Sequence, residues 1–192
     1  MKGNILAGVS DCMNIMKYKH QFHMNKNDLY CNAGMYLVDL KKWREEKVED
    51  KIIKRIHEQN GNVFFFEQTL MNWSCSGKIL QLPPKYNAYT LFWAFTYKNL
   101  ICWRKPNAFY LESEVEEAKD NPIIIHFTRN FYMLSRPWIK GCDHPKTKEY
   151  VKYKLLTPWK QLEEDNRSKK SIRRYKLWHI IPPVSYTHLR AH

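Results

Sequence analysis

The 192 residues contain no run of eighteen apolar positions, which excludes a transmembrane helix of ordinary length. The opening MKGNILAGVSDC sets no long apolar core behind its single Lys and does not read as a secretory signal. Paired cysteines are missing as well. Cys12, Cys31, Cys75, Cys102 and Cys142 are odd in number and widely spaced, and none stands in Cys-x-x-Cys spacing. That pattern argues against a zinc site and for reduced thiols in a cytoplasmic protein. There is no internal repeat and no low-complexity segment. Acidic residues are scarce: 19 Asp and Glu against 32 Lys and Arg leave a net charge of +13. The excess implies an anionic partner, whether nucleic acid, an acidic membrane face or a phosphorylated substrate. It is uneven, since Lys140 to Trp178 holds 12 basic residues against 5 acidic ones.

What remains is an ordinary globular composition, 44% hydrophobic and 27% charged, long enough for one domain with a sizeable core. Strand-like and helix-like segments alternate, as in an α/β fold. Ile5 to Val9 reads as a strand already under way, so Met1 reads as an internal methionine of a longer frame. Leu29 to Leu40 is a mostly apolar run whose Gly34 suggests a strand with a close backbone approach. Asp39 then caps one helix running to about Gln59, ended by Asn60-Gly61. Trp43, Val48, Ile52, Ile53 and Ile56 share its apolar face, and Asp50–Lys54 adds an ion pair. Phe64-Phe65-Phe66 leads into a short helix from Glu67 to Trp73. Lys78 to Leu82 is a strand stopped by Pro83-Pro84, and Glu112 to Lys119 is a solvated acidic helix. Pro122-Ile123-Ile124-Ile125 reads as a buried strand that ends at His126. A helix then passes through Tyr150, Val151, Tyr153 and Leu155 and is ended by Pro158. Arg167 to Ile181 is basic, with aromatic and aliphatic residues interleaved.

Four places can carry chemistry. His126, leaving a strand into a loop that also bears Arg136, suits an anion or a metal–anion pair; equally, it can be a packed strand cap. Imidazole is a plausible ligand for Mn²⁺ beside carboxylates, and guanidinium offers a planar fork to phosphate. Asn32, early in an apolar strand beside Ala33-Gly34, either bonds neighbouring backbone or faces a polar ligand. Glu67 at a helix start is explained by the helix dipole alone, whereas the neutral amide of Gln68 can bond sugar hydroxyls without adding charge.

In this order the motifs resemble glycosyltransferase family 8, retaining enzymes with a GT-A fold. The residues that carry the resemblance begin with Tyr30-Cys31-Asn32-Ala33-Gly34 and Val38-Asp39-Leu40-Lys41-Lys42-Trp43. Glu67-Gln68 before Leu70 and Asn72 follows, then Lys78-Ile79-Leu80 through Leu82-Pro83 to Lys85-Tyr86-Asn87. The last are Ile124-Ile125-His126-Phe127, Arg136-Pro137-Trp138, His144-Pro145 and Thr157-Pro158-Trp159-Lys160. The resemblance implies the C-terminal part of a Rossmann-like mixed sheet flanked by helices, with the first nucleotide-binding strands missing. It implies a UDP-glucose or UDP-galactose donor, a glycan or lipid-linked acceptor such as lipopolysaccharide, and Mn²⁺ or Mg²⁺. By position, His126 matches the metal-ligand His, and Arg136 stands where the family has a Lys touching the diphosphate. Asn32 and Glu67 match positions lining the donor sugar, Gln68 lies near the anomeric carbon as the catalytic candidate, and Asp11 matches an active-site acid.

Two departures follow. No Asp-x-Asp, the family's metal-carboxylate motif, occurs in the chain. The family's His-x-x-Gly-x-x-Lys-Pro-Trp is here four residues longer and lacks the Gly, and its aromatic residues are Phe127, Phe131 and Tyr132. The residues alone are therefore expected to be inactive. The expected division is a catalytic domain over 1–162, a basic amphipathic tail over 163–183, and 184–192, VSYTHLRAH, which matches one reading frame of a sequencing-library adapter and reads as non-native. The tail suits an anionic membrane on the inner face of the plasma membrane. The alternative is a basic nucleic-acid-binding or membrane-surface module without catalysis; no nucleic-acid motif is found, and nucleic acid is not the expected partner.

Overall fold

The computed structural model describes residues 1–128 and 136–180. In chain order the elements are β1 (Leu6–Ser10), α1 (Met16–Gln21), β2 (Cys31–Val38), α2 (Leu40–Glu45), α3 (Val48–Glu58), α4 (Phe66–Ser74) and β3 (Ile79–Gln81). A 3-10 turn, Pro84–Asn87, leads to β4 (Ala88–Tyr89), α5 (Leu91–Ala94), α6 (Tyr97–Arg104) and α7 (Glu112–Asp120). The remaining elements are β5 (Ile125–His126), α8 (Thr147–Lys154) and α9 (Lys169–Ile180). The chain forms two compact units, Met1–Asn87 with Arg104–Ile123, and Ala88–Trp103 with the chain from Ile124 on.

The first unit is built around β1, whose five residues are all buried. It is the middle strand of the order β2-β1-β3, antiparallel to β2 and parallel to β3. A central strand covered on both faces needs an unbroken apolar run, and Leu6-Ala7-Gly8-Val9 provides it. Gly8 is where the sheet is tightest: a Cβ there would stand 2.9 Å from the Cβ of Cys31 and 3.2 Å from the Tyr36 ring. The close approach expected at Gly34 thus belongs to Gly8, and Gly34 is exposed. Register slips between Gly8 and Ser10, an irregularity that re-aims the end of β1 just before Asp11. Ile5, Leu6, Cys31, Val48, Cys75 and Ile79 form one core cluster; Ile15, Phe22, Met24, Tyr30 and Val63 form another.

The single helix expected from Asp39 to Gln59 is two. Asp39 does cap α2, its Oδ1 accepting from the Lys42 amide at 3.1 Å. Lys47 then takes φ 49°, in the left-handed region, before α3 starts with Val48 wholly buried. Five positions separate Trp43 from Val48, where one helical face needs three or four, and that spacing is the break's trace in the sequence. The Asp50–Lys54 pair is replaced by Lys41–Glu45 and Lys54–Glu58. Helix α7 is only half solvated, since Val115 and Ala118 are buried.

In the second unit β4 and β5 pair in parallel, Ala88 with Ile125 and Tyr89 with His126. The isoleucine run is not a buried strand: Ile123 is 58% and Ile124 38% exposed, and His126 lies inside the short strand rather than past its end. Three β-branched residues specify extended backbone, not depth, and a two-residue ladder offers little cover. Ile139 bridges Asp165, with Asp165 N–H on the Trp138 carbonyl at 2.8 Å. None of the five cysteines forms a disulfide, and among the described residues no helix is long and apolar enough to cross a membrane. Phe131, Tyr132, Ile181 and the 184–192 segment lie outside the described residues.

Candidate functional site

Three of the sequence-derived candidates meet in the first unit. The irregular end of β1 delivers Asp11, whose amide bonds the Tyr30 carbonyl at 2.9 Å. Its Oδ1 accepts from the Met13 amide at 2.9 Å; its Oδ2 accepts from Asn32 Nδ2 at 3.0 Å and Gln68 Nε2 at 3.1 Å. Each amide is oriented from its other end. Gln68 Oε1 accepts from the Ala33 amide at 2.9 Å. Asn32 Oδ1 accepts from the Gly34 amide at 2.9 Å and from Asn87 Nδ2 at 3.0 Å. Backbone N–H groups therefore dictate which way both carboxamides point, and both present their donors to the one carboxylate oxygen. Gln68 is 9% exposed, while Asp11 and Asn32 are half-buried.

Beneath this cluster, wholly buried Asn72 braces α4 against β2. Its Oδ1 accepts from the Cys31 amide at 2.6 Å, and its Nδ2 donates to the Cys31 carbonyl at 2.8 Å and the Gln68 carbonyl at 2.7 Å. Cys31, which precedes Asn32, and Gln68 thus share a partner in Asn72. Tyr30 and Thr69 hydroxyls bond at 2.7 Å, and burial pushes the Tyr30 phenol up to about 12, so it serves as a neutral hydrogen-bonding group. Tyr110 accepts from the Ser10 amide at 3.0 Å and donates to the Leu82 carbonyl at 2.5 Å, tying the ends of β1 and β3. Burial, helped by the charge of Asp11, pushes the Cys31 thiol up to about 12, which removes it as a nucleophile at neutral pH. A cavity of about 180 Å³ opens beside Asp11, lined among others by Ser10, Lys26, Asn27, Asp28 and Asn107. Glu67 stands apart from this network, exposed in the first turn of α4.

His126 and Arg136 belong to the second unit. The His126 carbonyl accepts from the Thr90 amide at 3.2 Å and the Thr128 amide at 2.8 Å, and its side chain is half-buried. The Arg136 guanidinium lies over the Trp138 ring at 5.4 Å, and its Nε is buried without a hydrogen-bond partner. Among the described residues no group of three or more His, Cys, Asp and Glu is placed to hold a metal ion, so these residues do not by themselves make a metal centre. His126 can give one imidazole and Arg136 a fork for an anion.

Asn72 and Asn87 went unassigned in the sequence although both stand in quoted motifs. Their signal is shared: an amide amid apolar residues has to find partners, and here each finds a candidate site residue or its backbone.

Chemically, the cluster presents a carboxylate and two carboxamides, held in fixed orientation, which suits hydroxyl-rich neutral ligands. General stress protein A of Bacillus subtilis (strain 168) is 26% identical over 140 residues, covering 71% of this chain and 45% of that protein. Lipopolysaccharide 1,2-glucosyltransferase of Escherichia coli (strain K12) is 28% identical over 147 residues, 77% of this chain and 39% of that protein. The chain spans less than half the length of these two relatives. Among solved structures, the apo WbbM bifunctional glycosyltransferase superposes with a TM-score of 0.61 at 17% identity over 91% of this chain and 30% of that one. The galactosyltransferase LgtC, in complex with donor and acceptor sugar analogs, gives 0.59 at 15% identity over 90% of this chain and 56% of that one. These likenesses place the α/β architecture with GT-A glycosyltransferases. Residues 1–140 match the pattern of glycosyl transferase family 8, and the chain belongs to that family.

Proposed function

We propose that this chain carries the sugar-binding part of a hexosyltransferase that moves glucose or galactose from a UDP-sugar to a glycan or glycolipid acceptor with retained configuration. The observation that carries the reading is the hydrogen-bonded cluster of Asp11, Asn32 and Gln68. A hexose ring needs donors and acceptors in fixed directions, and the cluster offers both with a single negative charge. Gln68 is a poor nucleophile, so its role is to support charge near the anomeric carbon while the acceptor attacks from the face the donor leaves. Asp11 and Asn32 hold the sugar, with Glu67 at the exposed edge. Arg136 binds the diphosphate, a role supported by its buried Nε lacking a partner. A divalent ion, Mn²⁺ or Mg²⁺, would supply further charge stabilisation when bound, with His126 as one ligand.

The acceptor reading is lipopolysaccharide or another cell-surface glycan, the substrate class named for the Escherichia coli relative. A peripheral position on the inner face of the plasma membrane fits it. Helix α9 has Lys169, Lys170, Arg173, Arg174 and Lys176 beside exposed Ile172, Leu177 and Ile180, the composition of an interfacial helix on anionic lipid.

Saturation-transfer NMR with UDP-glucose and UDP-galactose tests the donor reading. Sugar-ring protons should receive saturation from the wild-type chain and lose it in Gln68→Ala. Hexose signals that are absent, or equally strong in the variant, would overturn the reading.

A further inference from the structure

Tyr150 stands 24 residues past His126 and 14 past Arg136, yet its ring meets the neighbours of both. It rides on α8, half-buried, 6.2 Å from the Phe127 ring at 82° and 5.8 Å from the Trp138 ring at 48°. Phe127 directly follows His126, and the Trp138 ring is the platform under the Arg136 guanidinium. His144 fixes Phe127 from another side, with ring centroids 4.8 Å apart at 67°. His144 is itself immobilised: it is 3% exposed, its Nδ1 accepts from the Lys146 amide at 3.1 Å, and its ring meets Trp93 at 4.9 Å. Its carbonyl accepts from the Thr147 amide at 3.0 Å, so the ring is anchored to the start of α8. One helix thus touches both chain segments, and among the described residues no backbone hydrogen bond joins the two.

We propose that Tyr150 is a positioning residue that sets the separation of His126 and Arg136 through Phe127 and Trp138. The Phe127 contact is edge-to-face and the Trp138 contact tilted, and aromatic pairs at these distances attract with a preferred geometry, so they carry position as well as filling space. The role rests on the reading of His126 and Arg136 as the groups that face the donor diphosphate. The stretch from His126 to Arg136 is four residues longer than the family's pattern, and α8 touches the residue beside His126 and the ring under Arg136.

Two readouts on the full chain test it: UDP affinity by calorimetry with Mg²⁺ present, and amide hydrogen exchange at Thr128 and Ile139. These two amides bond the His126 and Arg136 carbonyls at 2.8 and 2.9 Å. Tyr150→Leu should weaken UDP binding about tenfold and speed exchange at both amides, while Tyr150→Phe, which keeps the ring, should stay within about twofold of wild type. If Tyr150→Leu binds UDP like wild type while His126→Ala and Arg136→Ala weaken it, the positioning role is overturned and the donor reading stands. If none of the three changes UDP affinity, the donor reading fails and the role falls with it. A loss in Tyr150→Leu that Tyr150→Phe shares in full also overturns it, because the ring contacts survive in Phe.

Discussion

Asp11→Asn is the sharpest perturbation of the Asp11–Asn32–Gln68 cluster, since it changes one atom and removes the charge. The carboxylate accepts three hydrogen bonds, from Met13 N–H on one oxygen and from the Asn32 and Gln68 amides on the other. An Asn at this position has one oxygen to offer. Facing it toward Met13 sets an NH₂ group against two NH₂ groups; facing it toward the amides loses only the Met13 bond. Neither neighbour can relieve the conflict by flipping, because Gln68 Oε1 is engaged by the Ala33 amide and Asn32 Oδ1 by the Gly34 amide and Asn87. The second orientation wins, and the variant forfeits one charge-assisted bond while weakening two others. For a half-buried site that costs about 2 kcal/mol of stability. With a urea slope of about 2 kcal/mol per molar, the unfolding midpoint falls by about 1 M. Equilibrium urea unfolding followed by tryptophan fluorescence measures it, with an unchanged slope as the sign that the native fold is kept. A loss smaller than about 0.5 kcal/mol, the range of neutral surface changes, would refute the claim that the amides are locked.

Three further outcomes follow from the same geometry. Gly8→Ala places a methyl 2.9 Å from the Cys31 Cβ within a central strand, and should cost about 1–3 kcal/mol in urea unfolding. Asn72→Ala leaves the Cys31 N–H buried without its side-chain partner and the Cys31 carbonyl with only the long side-chain bond from the Tyr36 hydroxyl at 3.5 Å, and should cost about 2–4 kcal/mol by the same assay. Burial lowers the pKa of His144 from 6.5 to about 4, so the unfolded chain binds this proton more readily than the folded one. Its share of stability is complete above pH 6.5 and is lost as pH falls through about 4; His144→Gln should flatten that window relative to wild type in pH-dependent thermal melts.

The architecture was legible where periodicity and packing agree. The strand at β1, the cap at Asp39 and the stop at Pro83-Pro84 each follow from local chemistry and each appears where expected to within a residue. Two failures share a cause. The helix break at Lys47 and the exposure of Ile123 and Ile124 depend on what packs against the segment, and neither propensity nor period encodes that. A Lys in the left-handed region leaves only an indirect mark, the five-residue gap between apolar positions. The mistaken glycine has the same origin. Gly34 looked like the tight spot because it sits inside its own strand, whereas the crowding arises between strands, at Gly8 against Cys31.

The candidate site divides along a similar line. Asn32 was readable as a residue type because a polar group among apolar neighbours demands partners, Gln68 because a neutral amide can bond sugar hydroxyls, and Asp11 through the family resemblance alone. The orientation of the amides was not readable, and orientation is what gives the cluster its chemistry. It comes from the Ala33 and Gly34 N–H groups of β2, which turn the carboxamide oxygens one way and send their NH₂ groups to Asp11. A strand backbone normally uses such N–H groups for a neighbouring strand; here β2 spends them on side chains where its register with β1 slips between Gly8 and Ser10. The irregularity that re-aims Asp11 is thus accompanied by donors that orient its partners. Asn72 then holds α4 to the same strand through Cys31, so that Gln68 arrives in register with them. A site assembled this way depends on one strand's backbone more than on any one of its side chains.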